Sequence, residues 1–236
     1  MRRILSIALG ALVFSGPVSA QNKQETIEGN GKLVTKDVPV QSFDALDASG
    51  VYELKLSQGN KESVKIEADE NLQEYFTVHN EGNKLVIDMK KLEHKGLNSK
   101  NKMRVYVTFK KLKELDLKTV GNVNADAPLS FDDLEMKNKS VGHVTLNLTA
   151  NKIEIENSSV GNVKLSGKAQ DAVVKNTGVG SLQAGDFVVQ TMNIENTGVG
   201  SAEVNAAKDL KVKDSFLGKV RNKGEAKKRS MNRVKV

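Results

Sequence analysis

LEMKNKSVGHV (134–144), IEIENSSVGNV (153–163), AVVKNTGVGSL (172–182) and MNIENTGVGSA (192–202) are four versions of one unit. Each sets two alternating apolar residues, an Asn, two mostly small or polar residues, a Val-Gly pair and a polar residue at fixed offsets. The glycine recurs beyond these lines. Gly121, Gly142, Gly161, Gly180, Gly200 and Gly218 each follow an apolar neighbour, at steps of 21, 19, 19, 20 and 18 residues. A unit of about 20 residues is too short to bury a core alone, and repetition at that period marks a stacked solenoid.

The parity within each unit is that of a strand. Leu134 and Met136, Ile153 and Ile155, Ala172 and Val174, Met192 and Ile194, and Leu210 and Val212 stand two apart, so each pair shares one face. Asn138, Asn157, Asn176 and Asn196, continued by Asp214, keep the same inward parity. An amide stacked on its copy about 4.8 Å away donates to one neighbour and accepts from the other, so a buried Asn column satisfies itself. Such a ladder requires parallel, in-register coils. The recurring glycine supplies a corner conformation that a residue with Cβ resists, and the preceding valines are expected to stack inside as an aliphatic ladder. Short second strands follow the corner, as in Val144-Leu146-Leu148 and Val163-Leu165.

No stretch after Thr26 carries a sustained period near 3.6, and the units are rich in β-branched residues and Gly, which excludes a helical reading. Leucine-rich repeats share the period but need more Leu and a helical return. The fold class expected is therefore all-β: a single-stranded right-handed parallel β-helix of about 20 residues per coil, with a less regular N-terminal β region.

Arg2 and Arg3, the apolar run Ile4 to Phe14 and Val18-Ser19-Ala20 have the form of a secretory signal, which assigns residues 1–20 to a signal peptide cleaved near Ala20 and the product to the periplasm or the extracellular space, soluble after cleavage. No stretch is long enough for a transmembrane span. Cysteine is absent, which removes disulfides, thiolate metal sites and a Cys nucleophile together. The 216 residues left of 236 would wind on the order of 11 coils at about 20 each. The expected organisation is an extended lead-in over 21–42, a β-helix over 43–222 (irregular coils 43–110, regular repeats 111–222) and a basic C-terminal cap or tail over 223–236.

Net charge of +7 invites a nucleic-acid reading until the charge is located. Residues 219–236 hold eight basic residues against Glu225 alone, and the body between signal and tail is close to neutral. A basic tail can bind anionic polymers, or it can be a solvated last coil whose charges discourage end-to-end stacking. No nucleic-acid module or aromatic interleaving is present, so nucleic acid is not expected as a partner.

The first half is β as well. Tyr52, Leu54 and Leu56, then Gln58-Gly59-Asn60, then Val64-Ile66-Ala68 suggest two adjoining strands. Phe76-Val78 and Leu85-Ile87, joined through Asn80-Glu81-Gly82-Asn83, suggest a hairpin. Lys90–Lys102 is polar and is the best candidate for a mobile loop. Val105, Val107 and Phe109 open the strand that feeds the repeats.

The run Phe43-Asp44-Ala45-Leu46-Asp47-Ala48-Ser49-Gly50, followed by Gln58-Gly59 and by Val64 through Ala68-Asp69-Glu70-Asn71-Leu72, resembles the opening of the GIN domain family, the head domain of auto-transporter adhesins. The glycine-cornered repeats to Val220 match the family's second half. The resemblance covers roughly 38–222 and implies an exported right-handed β-helix with an adhesin label and no catalytic residues to carry over. The chain differs from the family pattern in placing Val before the corner glycine in most units.

Two function classes follow. A β-helix carbohydrate-active enzyme, a polysaccharide lyase or hydrolase, needs clustered Asp or a Lys or Arg base on long loops. Such loops are scarce here, and His79, His94 and His143 are spread without metal-ligand spacing. Asp69-Glu70 and Asp132-Asp133 are the acidic pairs available. The class preferred is a non-catalytic adhesin-like binding or cell-envelope scaffold protein without cofactor or metal. Its candidate ligand stripe is the polar residue after each corner: Asn122, His143, Asn162, Ser181, Ser201 and Lys219. An extracellular glycan or an envelope protein suits that stripe as partner, and the regular coils leave ends and faces open to self-association.

Overall fold

In a computed structural model of the protein, residues 25–89, 92 and 95–231 are described. Residues 1–20, read above as a signal peptide, His94 and Arg233 to Val236 lie outside them. Of the described residues 65% are strand and 3% helix, arranged as a β-solenoid of about 6 turns. The N-terminal part comprises β1 (Thr26–Glu28), β2 (Leu33–Val38), β3 (Ala45–Val51), β4 (Glu53–Gln58), β5 (Ser63–Asp69), a 3₁₀ turn (Glu70–Tyr75), β6 (Thr77–Glu81), β7 (Lys84–Asp88), β8 (Gly96–Asn98) and β9 (Arg104–Phe109). The repeats supply β10 (Glu114–Val120), β11 (Val123–Ala125), β12 (Leu129–Ser130), β13 (Asp133–Asn138), β14 (Val144–Asn157), β15 (Val163–Asn176), β16 (Leu182–Asn196), β17 (Ala202–Asp214), β18 (Val220–Asn222) and β19 (Lys228–Ser230).

The first coil is β3 and β4, and the chain then leaves the stack before it continues. β10 and β11 stack on that coil in parallel. Its opposite edge is covered by β7, parallel to β3, and β9, parallel to β4. β5 then pairs antiparallel with β9, β2 antiparallel with β5, and β6 antiparallel with β7. This cap explains two departures from expectation. About 6 turns form instead of 11, because β2, β5 and β6 pair antiparallel and close the open end of the stack, while β7 and β9 add only one parallel layer to it. The strands before and after Gln58-Gly59 do not adjoin either. β9 lies between them because the edge of β4 takes a parallel partner, and antiparallel strands beyond it end the sheet.

The polar segment expected to be mobile is partly built in. Gly96–Asn98 pairs in parallel with β1, and Asp69, fully buried, accepts hydrogen bonds from the Lys100 N–H at 3.0 Å, Ser99 Oγ at 3.3 Å and the Asn101 side chain. Led by the Asn101 bond, these hold the Asp69 carboxyl below its ordinary 3.8. A buried carboxylate needs such donors, and the loop supplies them.

The core is built from columns. Leu46, Leu115, Met136, Ile155, Val174, Ile194 and Val212 align coil by coil on one wall. Leu54, Val123, Val144, Val163, Leu182, Ala202 and Val220 align on the next. Units longer or shorter than 19 residues are absorbed by register shifts. One lies between Lys164 and Ser166 opposite β16, and others lie between Gln183 and Val188 and between Val189 and Thr191 opposite β17. At the C-terminal end β18 and β19 pair with β17, with ion pairs from Lys223 to Glu203 (3.0 Å), Lys228 to Asp214 (3.6 Å) and Arg229 to Asp209. Described residues of the basic tail thus form the last coil.

Candidate functional site

The corner of each coil follows from parity. Asn138 points in, Lys139 out, Ser140 in and Val141 out. Gly142 then turns the chain, and Val144 points in again. Gly121, Gly142, Gly161, Gly180 and Gly200 turn at φ between +129° and +146°, outside the range L residues favour. A Cβ on any of the last four would lie 2.1 to 2.4 Å from the carbonyl oxygen of the glycine one coil earlier. Both the backbone angle and the stacking distance therefore demand glycine. Gly218 closes the column without the left-handed φ.

Inside the corner runs the amide ladder. Asn138 Nδ2 donates to Asn157 Oδ1 at 2.8 Å, Asn157 to Asn176 at 2.6 Å and Asn176 to Asn196 at 2.6 Å; Asn196 Nδ2 ends on the Gly200 carbonyl at 3.2 Å. At the other end Asn138 Oδ1 accepts from Ser140 Oγ at 2.6 Å. All four Asn are buried, and their side-chain bonds link each coil to the next.

The polar stripe after the corner is exposed or half-buried, but part of it is also bonded to backbone. Asn122 Oδ1 accepts the His143 N–H at 3.0 Å, His143 Nδ1 accepts the Asn162 N–H at 3.3 Å, and Asn162 Oδ1 accepts the Ser181 N–H at 2.9 Å. These side chains cap amides that the turn leaves without a ladder partner. Ser201 and Lys219 continue the stripe and are exposed. His79 lies in the β6–β7 hairpin against Glu81 at 3.0 Å, and Asp132 faces Lys111 at 3.5 Å in the open. Asp69 is the buried staple described above. The acidic pairs are thus not brought together.

The valines before the corner glycines are not inside. Val120, Val141, Val160, Val179 and Val199 are 49 to 52% exposed and bridge one another in parallel, so the expected inner ladder is an outer one. The signal was present in the sequence: three positions separate the inward Asn from the Val, an odd number that puts Val on the opposite face. Their amides are fully used; Val141 N–H donates to Thr119 at 2.8 Å, for example, and its carbonyl accepts from Gly121 at 2.9 Å. The ridge therefore offers side chains only. Val51, in register with Val120, extends it at the capped end, and Leu217, whose carbonyl accepts from Gly200, extends it at the other. Beside Leu217 stands Phe216, 89% exposed. Beside Val51, a hollow of about 270 Å³ opens between Tyr52, Met103, Lys102 and Val120.

Among the described residues no group of His, Asp and Glu is placed to hold a metal ion, and no helix is long and apolar enough to cross a membrane. A family described as "Putative auto-transporter adhesin, head GIN domain" matches residues 42–226. No functionally curated protein matches the chain. Among solved structures, a "putative adhesin" from Bacteroides fragilis is similar at 28% identity and TM-score 0.73, with 87% of this chain and all of that one covered. A "putative lipid binding protein" from Parabacteroides distasonis aligns at 20% identity and TM-score 0.64, covering 87% of this chain and 95% of the other, and shares the fold. With the whole repeat region and most of the cap inside the matched span, the chain belongs to the auto-transporter adhesin head GIN domain family.

Proposed function

We propose that the protein is an exported, non-catalytic adhesin-like contact or cell-envelope scaffold module that acts by presenting the corner face of its solenoid. The observation that carries this reading is the unbroken exposed Val ridge with its polar stripe, since monomeric proteins rarely leave a contiguous apolar strip in water without a use for it. The basic N-terminus with its apolar run and the family both suit export.

The charge chemistry supports contact rather than turnover. Polysaccharide hydrolysis needs a carboxyl held protonated near neutral pH. The Asp44 and Asp209 carboxyls are instead held below the ordinary range by hydrogen bonds from Lys113 and Arg229. Three described basic residues near the C-terminal end, Lys223, Lys228 and Arg229, are held in ion pairs, which leaves an anion-binding role for them less support. The test is to incubate the chain with a panel of extracellular polysaccharides and isolated envelope fragments, reading binding and product release together. Saturable binding with no new reducing ends or unsaturated sugars is expected. Product release that disappears in Asp132→Asn would overturn the proposal.

A further inference from the structure

The wall that precedes the corner turns three columns of side chains outward. β14 presents Lys152, Glu154 and Glu156, β15 Asp171, Val173 and Lys175, β16 Thr191, Asn193 and Glu195, and β17 Asp209, Lys211 and Lys213, each in register with its counterpart one coil on. All are exposed or half-buried. Four of these residues are basic and five acidic, so the patch as a whole attracts neither a polyanion nor a polycation. The signs are ordered nonetheless: β14 reads plus, minus, minus where β17 reads minus, plus, plus.

The middle column decides the orientation of a partner. It runs from acid to base along the stack, through Glu114, Glu135 and Glu154, then the uncharged Val173 and Asn193, then Lys211 and Arg229. Like charges directly opposite on neighbouring strands destabilise a sheet, so a single chain gains nothing from this order. A second copy laid face to face with its stack reversed turns the same order into attraction. A two-fold axis along the strand direction, between β15 and β16, reverses the stack and keeps each column on its own side. It sets Lys152 against Asp209, Glu154 against Lys211, Glu156 against Lys213, Lys175 against Glu195 and Glu135 against Arg229, each twice over. Asp171 then meets Thr191 and Val173 meets Asn193, and none of these pairings joins like charges. Parallel stacks would instead set Glu154 on Glu154 and Lys211 on Lys211. An axis one coil earlier would spend Lys211 and Lys213 on Glu114 and Asp116, which Lys84 and Lys118 already hold at 3.5 and 2.7 Å, and would leave Arg229 unopposed. A groove of about 460 Å³, lined in part by Glu154, Val173, Lys175, Asn193, Glu195 and Lys211, spans the chosen axis, and Val173 beside it is 41% exposed.

From this self-complementary charge order we infer that the chain forms an antiparallel dimer through the outer surface of β13 to β19, with the two-fold axis between β15 and β16. The contact is isologous and closes at two copies. Five steps of about 4.8 Å and a width of roughly 18 Å give on the order of 450 Å² per copy, at the small end of specific interfaces, so the dimer is weak and depends on concentration. The contact is separate from the corner face and does not depend on how that face is used. Because the axis runs along the strands, both corner faces emerge on the same side of the pair.

The test is sedimentation velocity on the full chain from about 1 µM to about 1 mM, at about 50 mM and about 500 mM salt. A dimer that weakens at least tenfold at the higher salt is expected. Glu154→Lys and Lys211→Glu each place like charges together twice in a dimer and should each weaken association at least tenfold, with unchanged circular dichroism. Mixed in equal amounts, the two variants meet opposite charges at both places, and association should return to within about threefold of the wild type. Positions 154 and 211 lie three coils apart in one chain, so recovery on mixing cannot come from repaired folding. The double variant should likewise dimerise alone. A monomer at every concentration in low salt overturns the inference, as does a dimer that neither variant weakens, a mixture no stronger than its components, or growth beyond two copies. Binding of envelope fragments by a chain that stays monomeric would overturn the dimer while leaving the contact-module reading in place.

Discussion

Asn157 donates to one neighbour and accepts from another inside a dry corner, so truncating it strands two amide groups at once. At about 1–3 kcal/mol for each unsatisfied group, Asn157→Ala should cost about 2–6 kcal/mol in urea unfolding. Asn196→Ala, at the ladder's end, should cost less. The corner glycines can be tested against an internal control. Gly161 has φ +134° and would place a Cβ 2.1 Å from a backbone oxygen, whereas Gly82 has φ +61° in a hairpin turn with open space around it. Gly161→Ala should therefore abolish or severely weaken folding, while Gly82→Ala costs about 1 kcal/mol. Asp69 gives the pH dependence. Its folded pKa is lowered, first by the Asn101 bond, so its contribution is complete above the ordinary 3.8 and is lost as pH falls through the folded value. Thermal melts of the wild type should fall on acidification through that window. Asp69→Asn should be less stable at pH 7 and flatter in acid, and a parallel acid decline in both proteins would assign it to other carboxylates.

At the scale of elements, one outward column alternates in sign from β10 to β17, through Asp116, Lys137, Glu156, Lys175, Glu195 and Lys213, while in the first coil Asp47 faces Asp116 with Lys118 bridging the two. It closes at 2.6 Å between Glu195 and Lys213. A slip by one coil would set like charges together, so the column specifies register from outside as the Asn ladder does from inside. Lys175→Glu creates three carboxylates in a row. Because the pairs are solvent-exposed, the loss should stay under about 1 kcal/mol and shrink as salt is added. A salt-independent loss would point to packing instead. The strands themselves were legible from period two and the hairpin from its Asn-Glu-Gly-Asn turn. The partner of β4 was not, since pairing between strands about 50 residues apart is a matter of long-range closure that no local pattern encodes.

The whole molecule is close to one-dimensional, with each coil touching only its neighbours, so stability should peak where coils are covered on both sides. Hydrogen exchange should accordingly be slowest in β14 to β16 and fastest in β1, β8, β18 and β19, read by peptide-level mass spectrometry. Uniform protection along the stack would mean that the cap and last coil fold as one unit with the centre. The amino-acid sequence by itself determined the coil: a 19- to 21-residue period, an inward Asn and a corner Gly can be satisfied together only by parallel stacking, because each needs its own copy a sheet spacing away. The odd offset from Asn to Val even encoded the outward ridge. The tertiary structure alone decided where the stack stops, which hydrogen-bonding groups the polar stripe spends on the backbone, and that Phe216 and the hollow beside Val51 lie at opposite ends of one edge. Those features arise from groups far apart in the chain that meet only after the coils have closed.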